Sequence, residues 1–184
     1  MALTEHCYSV LLVSASDKLT ASLRAMLPCD RYDPVVVAGD VASARRCLLE
    51  NPFDLLLINT PLPDDFGTHL ALDVCNSSGT GVLLLVRAES YPDISARVAP
   101  YGILVLSKPT NSAILTQSLT LCCATRDRLR RMEEKAATME EKMEEIRLVN
   151  RAKWILISRL SMTEEDAHRY IEKRAMNQCV SKKE

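Results

Sequence analysis

Five polar side chains near the ends of apolar runs are the candidates for chemistry in the first 110 residues. They are Ser14, Asn59, Asp64, Asp65 and Lys108. Neighbouring carboxylates can hold a divalent cation, but in a turn such side chains are usually solvated. The amide of Asn59 is a poor nucleophile and carries no charge. We therefore predict no catalytic residue, no metal site and no cofactor here, and we do not expect an enzyme.

Basic side chains form a second group of candidates near the C-terminal end. From Arg147 onward the chain has nine basic and five acidic side chains, within a net charge of −1 for the whole protein. Helical spacing places Arg147 and Arg151 on one face of a helix, and Arg169 and Lys173 on one face of the next. This charge permits a polyanionic partner without requiring one.

For the cysteines, for Trp154 and Tyr170 and for His168 we predict structural roles and no chemistry. The seven cysteines are scattered and lack CxxC spacing, which is typical of reduced thiols. Trp154 and Tyr170 are expected to pack in the core of a small helical unit, with base stacking as the alternative. His168 has no second histidine or cysteine at metal-binding spacing, and we expect an ordinary surface or packing residue.

Five short apolar runs predict the elements that position the first group. They are YSVLLV (8–13), VVVA (35–38), DLLLIN (54–59), GVLLLV (81–86) and ILVLS (103–107). Because these runs are apolar on both faces, they indicate a parallel sheet covered by helices on each side. Helices are expected at 18–27, 41–50, 67–75 and 94–99, with Asp17 and Asp40 as N-caps. The prediction is a doubly wound, five-stranded, flavodoxin-like α/β domain, whose site lies at the carboxyl ends of the strands.

A heptad repeat follows this domain. Apolar residues alternate steps of three and four, which predicts a long helix that forms a homodimer through a parallel coiled coil. A single solvated helix is the alternative. In the parallel register Lys142 faces Arg147 of the partner helix, and this pair repels. The predicted dimer seam comprises Leu129, Met132, Ala136, Met139, Met143 and Ile146.

The segments NTPLPDDFG (59–67) and LSKPT (106–110) resemble strand ends of response-regulator receiver domains, and the resemblance covers about residues 8–120. In that family, two acidic residues hold magnesium and an aspartate accepts the phosphoryl group. A hydroxyl side chain and a Lys–Pro pair complete the site. Here Lys108 and Pro109 match. The degenerate phosphoacceptor site is predicted at Ser14, Ala15, Asn59, Val86 and Lys108.

These departures imply a pseudo-receiver that is not phosphorylated. A carboxamide at position 59 cannot form an acyl phosphate, and no acidic pair is present to hold magnesium. The resemblance places the chain among two-component signal transduction proteins. It implies control by a regulatory protein that binds the receiver-like domain.

Residues from about 150 to 176 resemble the ANTAR domain, the helical RNA-binding module of transcription antiterminators. The matching positions are Ala152, Lys153, Leu156, Ala167, Arg169, Ile171, Ala175 and Met176. The resemblance implies binding to an RNA hairpin in a leader transcript. The candidate RNA-binding residues are Arg147, Arg151, Lys153, Arg169 and Lys173. A protein-interaction scaffold or a DNA-binding regulator is the alternative function.

The predicted organisation is a pseudo-receiver at 1–120, a coiled-coil linker helix at 121–149 and a small all-α ANTAR-like domain at 150–184. Ser181 and Glu184 form an SxxE capping box, which predicts the start of a third helix and suggests truncation before it. The chain has no apolar run of transmembrane length and no secretory signal, so a cytoplasmic location without membrane association is expected.

Overall fold

The computed structural model describes residues 6–179, and the chain divides between Arg130 and Arg131 into two compact units. The first unit is built on a parallel sheet with strand order β2-β1-β3-β4-β5. This confirms the doubly wound α/β fold. Its strands are β1 (Tyr8–Val13), β2 (Tyr32–Ala38), β3 (Leu55–Asn59), β4 (Gly81–Arg87) and β5 (Leu104–Lys108).

Helices alternate with these strands. The first four are α1 (Asp17–Ala25), α2 (Val41–Glu50), α3 (Thr68–Ser77) and α4 (Tyr91–Val98), with short 3-10 turns at Ala88–Ser90 and Ala99–Tyr101. A fifth helix, α5, runs from Ser112 to Leu160, and α6 runs from Glu164 to Gln178. No helix within residues 6–179 is long and apolar enough to cross a membrane.

The sheet is apolar on both faces because each face has its own hydrophobic core. Leu56 and Ile58 of β3 belong to the core beneath α2, α3 and α4. Leu55 and Leu57 belong to the core beneath α1 and α5. Side chains of a strand alternate between faces, so this division also assigns the polar side chains at the strand ends to one face or the other.

Local capping explains where the helices begin. Asp40 caps α2 as expected, since its carboxylate accepts from the Ser43 amide at 2.6 Å. The expected N-cap of α1 was wrong by one residue. Ser16 accepts from the Leu19 amide, and Asp17 lies in the first turn, where its charge favours the helix dipole. Helix α4 begins three residues earlier than expected because Pro92 fits a first helical turn.

The first part of α5 covers the sheet. Leu115, Leu119 and Cys122 are buried in the core that it shares with α1. Two polar contacts add to this packing: Tyr8 donates its hydroxyl to Asp127 at 2.7 Å, and Arg126 pairs with Asp54 at 3.1 Å. These contacts fix the part of α5 that belongs to the first unit against the strands.

The second unit is a helical hairpin made by the rest of α5 and by α6. Thr163 caps α6, since its hydroxyl accepts from the Asp166 amide at 3.2 Å. Ala167 is fully buried, while Ile171 and Ala175 are half-buried. An ion pair between Lys153 and Glu164, at 3.5 Å, joins the two helices. The predicted SxxE capping box lies outside the described residues.

Candidate functional site

A closed polar network occupies the carboxyl ends of β1, β3 and β5. Asn59 donates its amide to the hydroxyl of Ser14 at 3.1 Å and accepts from the ammonium of Lys108 at 2.6 Å. Lys108 also donates to the carbonyl of Thr60, and the Lys108–Pro109 bond is cis. Ser14 and Asn59 are buried. The hydrogen-bonding groups of Asn59 are thus satisfied by protein neighbours.

The fourth strand contributes a different residue from the one that the sequence predicted. Val86 is fully buried in the core beneath α2, α3 and α4, on the face opposite Asn59. Arg87 is exposed and pairs in register with Lys108 of β5. Strand alternation places Arg87 on the same face as Asn59 and Lys108. The assignment of Val86 to this site is therefore corrected to Arg87.

The alternation of the preceding leucines between the two faces of β4 is the sequence signal that indicates Arg87. Leu83 and Leu85 lie on the face of the sheet shared with α1 and α5. Arg87 comes two residues after Leu85, so its side chain lies on this same face of the sheet. The strand continues for one residue beyond its last apolar side chain, Val86. Ala15, the other predicted position, is exposed and offers no polar side chain to the site.

The site is positive in charge and contains no carboxylate on the strand ends. Burial, and secondarily the nearby Arg87 guanidinium, lower the pKa of Lys108 from its ordinary value of 10.5. Lys108 nevertheless donates to two oxygen atoms, which favours its charged form. An anionic group is the kind of ligand that this charge attracts.

Asp64 and Asp65 have structural contacts that the sequence did not indicate. Asp64 accepts from the amides of Val41 and Ala42, both at 3.0 Å, at the beginning of α2. The bond from Val41 is the main reason that the pKa of Asp64 is lowered. Asp65 accepts from the amide of Gly67 at 2.7 Å. Within residues 6–179, no cluster of histidine, cysteine and acidic side chains suits a metal ion.

Part of α5 in the second unit presents an exposed basic face. Arg147, Arg151 and Ser158 are exposed, and helical periodicity places Trp154 among them. Trp154 is 71% exposed. The prediction that this tryptophan packs in a core was wrong, because α6 covers the other side of α5, where Val149, Ala152 and Leu156 are half-buried.

The basic residues of α6 lie on a separate surface. Ala167, Ile171 and Ala175 face α5, so the periodicity of α6 directs Arg169 and Lys173 away from it. The two basic faces therefore lie on opposite sides of the hairpin, and the five candidate residues are not brought together. Tyr170 is 41% exposed beside Lys173, which corrects its expected place in the apolar core.

Some of the candidate RNA-binding residues already form ion pairs with carboxylates. Lys153 is mostly covered and pairs with Glu164, and Arg169 pairs with Glu165 one turn away. His168 pairs with Glu172 at 3.3 Å, while its Nδ1 atom is buried without a hydrogen-bond partner. Arg147 and Arg151 lie together on the exposed face of α5.

Comparison with known proteins agrees with both units. Residues 137–184 match the ANTAR domain. The transcriptional regulatory protein PdtaR of Mycobacterium tuberculosis is 27% identical over 175 residues, covering 95% of this chain and 85% of the relative. The C-terminal segment of the chain therefore matches an ANTAR domain, and almost the whole chain is similar to a transcriptional regulatory protein. The five candidate RNA-binding residues all lie within the matched ANTAR segment.

Solved structures support the receiver fold of the first unit. The signal receiver domain of an HD domain-containing protein from Pseudomonas fluorescens aligns with a TM-score of 0.62 and 22% identity, covering 71% of this chain and 96% of that one. The chemotaxis response regulator CheY4 of Vibrio cholerae aligns with a TM-score of 0.56 and 22% identity, covering 64% and 99%. At this identity, the likeness concerns the fold.

Proposed function

We propose that this protein is an ANTAR-type response regulator that binds an RNA hairpin in a leader transcript and controls transcription antitermination. The matched ANTAR segment and the similarity to a transcriptional regulatory protein support this proposal. The protein acts by binding and not as an enzyme. Its domain boundaries, at residues 120 and 149, remain part of the proposal.

The observation that carries the proposal is the charge pattern at the end of α5. Residues 147–162 contain four basic side chains and no acidic one. Within this stretch Arg147 and Arg151 are exposed one helical turn apart. Arginine side chains attract RNA phosphates and release their counterions, which provides affinity that falls as salt rises. The stretch lies inside the ANTAR match.

The receiver-like unit supports control by a protein partner instead of a phosphoryl group. Asn59 is already bonded to Ser14 and Lys108, and it lacks the carboxylate that phosphorylation needs. Arg87 adds positive charge at the same strand ends. An acidic segment of a regulatory protein would complement this edge.

A parallel coiled-coil homodimer completes the proposal. Met132, Met139, Met143 and Ile146 of the heptad seam are each more than half exposed in the single chain. A second copy would cover these apolar side chains. Dimerisation would also present two copies of the Arg147 and Arg151 face to one RNA, which increases avidity.

The test is a binding titration that compares two double variants of the full chain. The probe is a leader hairpin RNA isolated by its copurification with the protein. Arg147→Gln with Arg151→Gln is expected to weaken binding at least about ten-fold and to flatten the salt dependence, by a slope of about 0.7 for each phosphate that is no longer neutralised. Arg169→Gln with Lys173→Gln is the matched control and is expected to change affinity less than about three-fold.

Excess duplex DNA separates the proposed function from general polyanion binding. Recognition of unpaired loop bases is expected to survive the duplex competitor, because a duplex keeps its bases stacked. Helicity must match the parent protein for both double variants, and sedimentation must show that both variants self-associate at the concentrations used in the titration. The proposal would be refuted if duplex DNA competed for the protein as well as hairpin RNA does. It would also be refuted if the double variant Arg147→Gln, Arg151→Gln bound the hairpin as tightly as the parent.

A further inference from the structure

We propose that Trp154 is the stacking platform for an unpaired RNA base. The inference rests on the proposed RNA-binding function and adds a residue that determines how the RNA is held. Trp154 is the only tryptophan in the chain, and it is 71% exposed. An indole ring is the largest apolar side chain, and exposing it to water forfeits a large favourable burial. That cost is recovered when a ligand covers the ring.

Trp154 lies on the same face of α5 as Arg147 and Arg151. Steps of four and three residues separate Arg147, Arg151 and Trp154, which is the spacing of one helical face. The helical rise places Arg151 roughly 4.5 Å along the axis from Trp154 and roughly 6 Å from Arg147. The ring thus lies at the end of a short row of guanidinium groups.

This combination fits a nucleic acid strand better than an apolar partner. The guanidinium groups attract phosphates, while the flat ring accepts the face of a base. Residues 147–162 contain no carboxylate that would repel the phosphate backbone. A purely apolar partner that covered the ring would leave the neighbouring arginines without counter-charge.

The base must be unpaired to reach the ring. Paired bases in a helix are stacked on one another and present only their edges in the grooves. A base in a hairpin loop can be splayed outward and laid on an aromatic ring, and every base has such a face. In this arrangement the Trp154 ring stacks on a base of the loop, and Arg147 and Arg151 contact the phosphates beside that base.

The experiment uses the fluorescence of this single tryptophan in the full chain. Titration with the hairpin RNA is expected to quench its emission, and a duplex of the stem sequence without the loop is expected not to. Trp154→Ala should weaken hairpin binding between about five-fold and about a hundred-fold. Trp154→Phe, which keeps an aromatic face, should recover part of that affinity. Leu160→Ala, an exposed apolar position elsewhere on α5, is the matched control and should bind like the parent.

The outcomes distinguish this inference from the proposed function. If the hairpin binds in a filter assay but emission stays constant and Trp154→Ala binds equally well, the stacking role is refuted and the RNA-binding function stands. If the parent binds no hairpin, both fail. If Trp154→Ala no longer self-associates in sedimentation while its RNA affinity is unchanged, the ring is a contact between copies, which also refutes the inference.

Discussion

At the carboxyl ends of β1, β3 and β5, Asn59 uses its amide oxygen for Lys108 and its amide nitrogen for Ser14. Both bonds link charged or polar groups that would otherwise be left unsatisfied in a largely buried place, and such groups are costly when unpaired. The network can therefore maintain the receiver fold at this edge without a phosphoryl group or a metal ion.

The first prediction concerns phosphorylation at this site. Incubation with acetyl phosphate and magnesium should leave the mass of the parent protein unchanged, because an amide cannot form an acyl phosphate. Asn59→Asp alone should also remain unmodified, since no acidic pair is present to hold magnesium. The triple variant Ser14→Asp, Ala15→Asp, Asn59→Asp restores all three carboxylates and is the positive control. An acid-labile gain of one phosphoryl group by the parent would contradict this account.

A second prediction concerns Asp54, which joins β1, α5 and the start of β3. Burial alone raises the pKa of Asp54, but bonds from Ser9 and Arg126 outweigh it, so the pKa lies below 3.8. Asp54→Asn should cost about 1.5–3 kcal/mol at pH 7, because bonds to the charged carboxylate are removed. Urea unfolding monitored by circular dichroism measures this difference.

The lowered pKa of Asp54 also predicts how the stability difference between parent and Asp54→Asn changes with pH. A carboxyl whose pKa is lowered in the folded protein stabilises it above its unfolded pKa, which is about 4. The contribution disappears as pH falls through the folded pKa. The stability difference between parent and Asp54→Asn should therefore narrow below about pH 4. A difference that stays constant from pH 7 to pH 3 would show that the charge of Asp54 does not stabilise the fold.

Residue positions could be predicted where strand geometry determines them. Lys108 and Asn59 meet because parallel strands end at one edge of the sheet. Val86 was misplaced because an apolar run does not show where its strand ends, whereas the alternation of β4 points to Arg87. Trp154 and Tyr170 were misplaced for another reason. An aromatic residue on a helix does not reveal which face of that helix the neighbouring helix covers.

At the scale of elements, α5 has two contrasting sides. One side is half-buried by α6, and another carries the heptad seam, with Arg147 and Trp154 exposed beside it. The sequence could predict the helix and its seam from periodicity. It could not predict the division of the basic candidates into two surfaces, because this depends on the docking of α6. Dimer formation itself remains a prediction.

The third prediction tests the parallel register of that seam. Lys142→Glu converts the repulsive pair with Arg147 of the partner helix into an attractive one. Two such pairs form per dimer, so the dimer should tighten roughly two- to five-fold at low salt. Sedimentation equilibrium measures the change, which should diminish at high salt.

Lys135→Glu is the matched control for this register. It replaces an attractive pair with Glu140 by a repulsive one, and it should weaken the dimer by a similar factor. Opposite effects of the same substitution at two positions would be hard to obtain in any other arrangement. Equal effects of both substitutions, or none, would reject the parallel register.

At the scale of the whole molecule, a receiver fold precedes a matched ANTAR segment. The fold class was predictable because five apolar runs alternate with helical segments, and this pattern permits few topologies. The function that we propose could be inferred only through resemblance to a family. Charge alone was too nearly balanced, at −1 for the whole chain, to indicate a nucleic acid partner.

The central claim is that the intact protein binds leader transcripts through the Arg147 and Arg151 face of α5. The most direct measurement crosslinks the full-length protein to RNA in its own host and sequences the transcripts that copurify. We expect a small set of leader RNAs with hairpin loops, enriched by the parent and absent with Arg147→Gln, Arg151→Gln. Enrichment of no transcript above background, or retention of the same set by that variant, would contradict the claim.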